Sequence, residues 1–139
     1  MSANGDSGNQ TIVVGVDTSA ESIAALRWAA RLASSTGAPL LAVHAEGLLE
    51  EGAYVPRVDV AEVIARTLSD LDCAGGLTSL VEPGHPCDTL LRVAERTGAQ
   101  HIVVGHRGVG DTGSDIGSTA LQLVSRAHVP VTVVRTTIV

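Results

Sequence analysis

The sequence predicts an α/β fold: a single-layer, doubly wound parallel sheet of five strands with helices on both faces. Three observations carry the prediction. Short apolar, β-branched runs alternate along the chain with segments of helical period. Within each run the apolar residues are consecutive rather than alternate, as in strands covered on both sides. Glycine, proline or small polar residues mark each change of period. Such alternation builds right-handed βαβ units and hence a parallel sheet. A flavodoxin-like or half-Rossmann layer fits a chain of 139 residues.

The elements follow in order. Residues 1–10, MSANGDSGNQ, are small and polar and read as a disordered leader, which leaves 11–139 as one domain. Residues 11–16, TIVVGV, are the first strand. Asp17-Thr18-Ser19 then turns the chain, with Ser19 as helix cap. Across residues 20–35, Ile23, Leu26, Ala29, Ala30 and Ala33 share the predicted inner side, opposite Arg27, Arg31 and Ser34. Gly37 and Pro39 stop that helix. PLLAVHA, residues 39–45, is the second strand, followed by an acidic loop over 46–56.

Residues 57–72 carry Val60, Ile64, Leu68 and Leu71 at three- and four-residue spacing, a second helix broken by Gly75-Gly76. Residues 77–81 form a weaker strand. Gly84-His85-Pro86 leads into a helix over 87–97 with Leu90, Leu91 and Ala94 inward, ended by Gly98. HIVV, residues 101–104, is the fourth strand, and a glycine-rich stretch spans 105–117. The last helix, 118–127, is expected to bury Ala120, Leu121, Val124 and Ala127. PVTVVR closes the chain as the fifth strand, with Pro130 at its start, where no ladder donor is needed.

Composition excludes several chemistries. All nine basic residues are Arg. Without Lys there is no P-loop GxxxxGK, no Schiff base and no Lys general base. One Trp, one Tyr and no Phe are too few for a platform that stacks single-stranded nucleic acid. A net charge of −6 repels nucleic acid and anionic membranes. Cys73 and Cys87 make no disulfide framework and read as reduced thiols, although a helix start at Cys87 would lower a thiol pKa. No signal peptide and no apolar run of about 18 residues is present, so a soluble cytoplasmic protein is expected. The histidines show no metal-ligand spacing.

In doubly wound sheets, ligands bind beyond the C-terminal ends of the strands, where strand order reverses. Two segments meet there if the first and fourth strands are neighbours: Gly15 to Ser19, and Gly105 to Thr119. Five glycines in the second either let backbone N–H groups turn toward an anion or serve only as tight turns. Gly117-Ser118-Thr119 adds hydroxyls and a helix N-terminus, which holds phosphate without Lys. Asp17 suits either a hydrogen bond to a ribose hydroxyl or adenine amino group, or a cap on the next helix. Arg107, the basic residue of the loop, faces phosphate or solvent. His106 contacts ribose or lies on the surface.

Three stretches carry a family likeness. They are IVVGVDTSAESIAALRWAARLA, PLLAVHA, and HIVVGHRGVG with its continuation GSTALQLVSRAHVPVTVVR. Together the chain resembles the universal stress protein family over residues 11–135. The resemblance implies a sheet of order 3-2-1-4-5, usually dimeric through the last strand, here Val131, Val133 and the apolar tail to Val139. It implies nucleotide contacts from Asp17 to the nucleoside and Val43 to adenine. Val104 and Gly105 would approach the ribose, with Gly108, Gly117, Ser118 and Thr119 on the phosphates. The family signature has nine residues between its second glycine and G-[S/T]; eight separate Gly108 from Gly117.

The shortened loop carries Asp111 and Asp115. A carboxylate about 6 Å from phosphate opposes binding by about 1–3 kcal/mol. A divalent cation such as Mg2+, bridging carboxylate and phosphate, would reverse that sign. The expected function is a cytoplasmic dimeric stress sensor that binds ATP, AMP or cyclic AMP in the crevice. The alternatives are a dimeric interaction module that binds no ATP and a slow nucleotide hydrolase. Ser118 has no adjacent His, so a Ser-His-Asp catalyst is not expected.

Overall fold

The computed structural model describes residues 10–17, 19–46, 59–69, 75–108 and 116–136. Strands β1 (Ile12–Gly15), β2 (Leu40–Glu46), β3 (Leu77–Pro83), β4 (His101–Gly105) and β5 (Val131–Val134) alternate with four helices. These are α1 (Ala20–Thr36), α2 (Val60–Thr67), α3 (Pro86–Thr97) and α4 (Ser118–Arg126). The strands form one parallel sheet of order β3-β2-β1-β4-β5. The order in which strands are added reverses between β1 and β4, whose parallel register pairs Val13 with Ile102 and Val14 with Val103.

Each face of the sheet has its own core. On one face Ile12, Val14, Leu40, Ala42 and Val103 pack with Leu26, Ala29, Ala30 and Ala33 of α1 and with Ile64 of α2. On the other, Val13, Val43, Ile102 and Val104 pack with Leu90, Val93 and Ala94 of α3 and with Ala120 and Leu123 of α4. The consecutive apolar residues of β1 are explained by this: successive side chains enter opposite cores. The alanine face of α1 lets its backbone lie close to the sheet. Trp28 is partly buried against the first core, its ring 6.0 Å from that of His101.

Local caps set the helix limits. Ser19 Oγ accepts from Ser22 N at 3.1 Å, the expected N-cap of α1. Gly37 and Gly98 end α1 and α3 with φ of 76° and 65°, the left-handed conformation glycine adopts without penalty. Helix α2 starts at Val60 rather than 57, because Asp59 Oδ1 accepts from Glu62 N at 3.1 Å and caps it there.

Three expected core faces are corrected. In α1 the buried stripe includes Ser22 and Ala25, and Ile23 is only half-buried. In α3 Val93 is buried and Leu91 only partly so. In α4 Leu123 is fully buried, whereas Leu121 and Val124 are 53% and 56% exposed. Helical spacing finds a stripe, but the angle at which α4 meets the sheet edge decides which residues of it are covered. Residues 1–9, 46–56 beyond Glu46, Leu71, Cys73, Asp111, Asp115 and Val139 lie outside the described residues.

Candidate functional site

An open crevice with a cavity volume of about 80 Å³ lies beyond the C-terminal ends of β1 and β4. Its walls include Gly15, Val16 and Asp17 from β1 and its exit, Val43 and His44 from β2, and Val104 to Gly108 from β4 and its exit. Helix α4 contributes Gly117, Thr119 and Ala120. The crevice thus brings together Asp17, Val43, Val104, Gly105, Arg107, Gly108, Gly117 and Thr119. Ser118 is exposed and is not part of this wall.

The floor is made by glycine. A Cβ at Gly15 would stand 3.0 Å from Leu90 Cδ1, so a side chain there would fill the space under the crevice. At Gly105 a Cβ would stand 2.6 Å from the backbone carbon of Glu21. The first turn of α1 therefore rests directly on the end of β4. Backbone bonds then tie the described ends of the 105–117 stretch: His106 N donates to Val134 O and Gly117 N donates to His106 O, both at 2.8 Å. His106 ties β5 to the start of α4 and is buried, which corrects the surface alternative for it. Helix α4 begins without a side-chain cap, so its first N–H groups are not met by one.

Asp17 has a structural role at the mouth of α1. Its Oδ1 accepts from Ser19 N at 2.7 Å and also from Ser19 Oγ. Ser22 Oγ accepts from Asp17 N at 3.1 Å and donates to Asp17 O at 2.9 Å. The carboxylate therefore forms the turn while also lining the crevice. His44 Nδ1 lies 2.8 Å from Val16 O, so in that bond Nδ1 carries the proton and donates.

Arg107 has a partner that the sequence reading missed. Its Nη2 donates to Glu21 Oε1 at 2.9 Å, joining the glycine loop to α1 across 86 residues of sequence. The Glu21 carboxyl is held below its usual range, first by a hydrogen bond from its own backbone N–H and then by Arg107; Asp17's charge opposes this. Position offered one signal for Glu21, its place in the first turn of the helix after Asp17. Its contact with Gly105 had no sequence signal.

Cys87 corrects the low-pKa reading. Burial pushes its thiol up despite its place at the start of α3. Arg126 Nη1 donates to Cys87 Sγ at 3.6 Å and to Asp88 Oδ1 at 2.8 Å, which links α3 to α4. Among the described residues no group of three His, Cys, Asp or Glu is placed to hold a metal ion, and no helix is long and apolar enough to cross a membrane.

A doubly wound sheet with a glycine-walled crevice at its switch point defines a class of α/β fold. Residues 8–135 match the universal stress protein family. A universal stress protein of Mycolicibacterium smegmatis is 38% identical over 138 residues, covering 88% of this chain and 47% of its own. One from Thermus aquaticus is 32% identical, covering 91% of this chain and 98% of its own. A universal stress protein solved in complex with cAMP has a TM-score of 0.70 at 27% identity, over 92% of this chain and 98% of its own. The chain belongs to the universal stress protein family. It spans about half the length of the mycobacterial relatives it matches.

Proposed function

We propose that this protein binds an adenine nucleotide in the crevice and works as a homodimeric, cytoplasmic stress-response sensor rather than a fast catalyst. The observation that carries the reading is the meeting of three things at the switch point. They are a carboxylate at the end of β1, glycine backbone at the end of β4, and the N-terminus of α4. The helix end attracts phosphate with roughly half a positive charge. Asp17 accepts from the nucleoside, Val43 borders the adenine, and Val104 and Gly105 border the ribose. Gly108, Gly117 and Thr119 of the wall take the phosphates, with Arg107 beside them and the exposed Ser118 at the rim. The similar structure solved with cAMP supports an adenine ligand. Magnesium would enter with a triphosphate, as the ion that the ligand brings.

Dimerisation has separate support. Strand β5 is an edge of the sheet, and Val131 and Val133 on it are half-buried. Leu121 and Val124 stand exposed on the adjacent α4. A bare apolar edge of this kind is covered by a second copy. A second reading, a dimeric interaction module without ATP, is favoured by one observation: the arginine of the phosphate loop is already paired with Glu21.

Thermal melting separates the two. A ligand at about 100 times its Kd adds about 2.7 kcal/mol, a shift of about 10 °C for a domain this size. AMP or ATP with magnesium is expected to produce it, and Asp17→Ala to abolish it. No shift with any adenine nucleotide at millimolar concentration overturns the binding reading in favour of the second.

A further inference from the structure

We propose that Glu21 is a specificity-determining residue for ligand charge. By holding Arg107 in an ion pair at the phosphate end of the crevice, it selects nucleotides carrying one phosphoryl group over triphosphates. The inference rests on the nucleotide reading above.

Arg107 is the guanidinium among the described lining residues, beside the imidazoles of His44 and His106. Paired with a carboxylate it contributes little net charge. The pair is built into the fold rather than formed between mobile surface chains. The Glu21 backbone is pressed against Gly105, two residues before Arg107, so carboxylate and loop are kept at a set separation. Both side chains are largely covered, at 31% and 14% exposure for Arg107 and Glu21. Glu21 stays ionised at neutral pH, and Asp17 places a second negative charge near it.

Among the described residues, what is left to attract phosphate is the N-terminus of α4, whose first turn has no side-chain cap. A helix end supplies roughly half a charge, which suits one phosphoryl group and not three. Each further ligand charge meets the field of Asp17, and the Arg107 charge that would offset it is cancelled by Glu21. At separations of about 8 Å and intermediate permittivity, one carboxylate changes affinity on the order of threefold to fivefold per ligand charge.

Isothermal titration with AMP and with ATP, both in EDTA, tests this on the wild type, Glu21→Gln and Glu21→Gln/Arg107→Gln. Glu21→Gln is expected to tighten AMP, which carries about two charges at neutral pH, about tenfold and ATP, which carries about four, about a hundredfold. The double variant is expected to lose that gain. Glu21→Ala repeats the comparison without a hydrogen-bonding side chain at position 21. An unchanged ATP-to-AMP ratio in both single variants, or a gain that survives in the double variant, overturns the inference and leaves nucleotide binding intact. Failure of the wild type and every variant to bind either nucleotide overturns the nucleotide reading, and the inference with it.

Discussion

Replacing Gly105 by alanine tests whether the crevice depends on the contact between the end of β4 and the first turn of α1. The added Cβ would lie 2.6 Å from Glu21 C, 2.8 Å from Glu21 O and 2.9 Å from Glu21 Cβ. Ordinary contact begins near 3.4 Å, so α1 must recede by most of an ångström. Two of the three opposing atoms are backbone, and no rotamer change relieves them. Overpacking of this kind costs about 1–3 kcal/mol. The lost freedom of the unfolded chain returns about 0.4–1 kcal/mol, leaving a net loss of about 1–2 kcal/mol. With a urea dependence near 2 kcal/mol per molar, the unfolding midpoint falls by about 0.5–1 M. AMP affinity falls with it, since Asp17 and Arg107 part as the helix recedes. Gly98→Ala is the control. Its φ is 65° with nothing within 4 Å, so it loses about 1 kcal/mol by backbone strain and leaves AMP affinity alone. A Gly105→Ala midpoint within about 0.2 M of wild type, with AMP affinity unchanged, would refute the reasoning.

Leu123→Ala removes a fully buried side chain and is expected to cost about 2–4 kcal/mol by denaturant titration of dilute protein. Leu121→Ala, on the exposed side of the same helix, is expected to stay within about 0.5 kcal/mol. The opposite ordering would restore the core face expected from spacing. Burial depresses the His101 pKa below its ordinary 6.5, so below that pH the unfolded chain binds more protons than the folded one. Stability is therefore complete above pH 6.5 and declines as pH falls through that region, a slope that His101→Gln should remove. The depressed Glu82 carboxyl, held first by Arg96 and also by Arg92, acts in a lower window. It supports the fold above its ordinary 4.5, loses that support as pH falls further, and Glu82→Gln should flatten the second slope.

Much of the fold was legible because its signals are local. Apolar runs mark strands buried on both faces, and Gly37 and Gly98 stop helices through a backbone conformation that belongs to one residue. Helix faces were less legible. The Ala29, Ala30 and Ala33 stripe was correct, whereas Leu121 and Val124 proved exposed. Periodicity specifies a direction around a helix axis but not the angle at which that helix meets its neighbours. At the site, Asp17 and the glycines stood out by type and position. Glu21 did not, because a glutamate in a first helical turn is ordinary until its distant partner is known.

The sequence by itself determined the alternation of elements and the family. It also determined the absence of Lys, which leaves phosphate attraction to backbone N–H groups, a helix end and an arginine. Tertiary structure alone decided how that arginine is used. Glu21 and Arg107 stand 86 residues apart in the chain and 2.9 Å apart in space. They meet because β1 and β4 are neighbours in the sheet and a glycine at the end of β4 lets α1 rest against it. Long-range pairing of this kind depends on how the layers pack, and local composition carries no record of it.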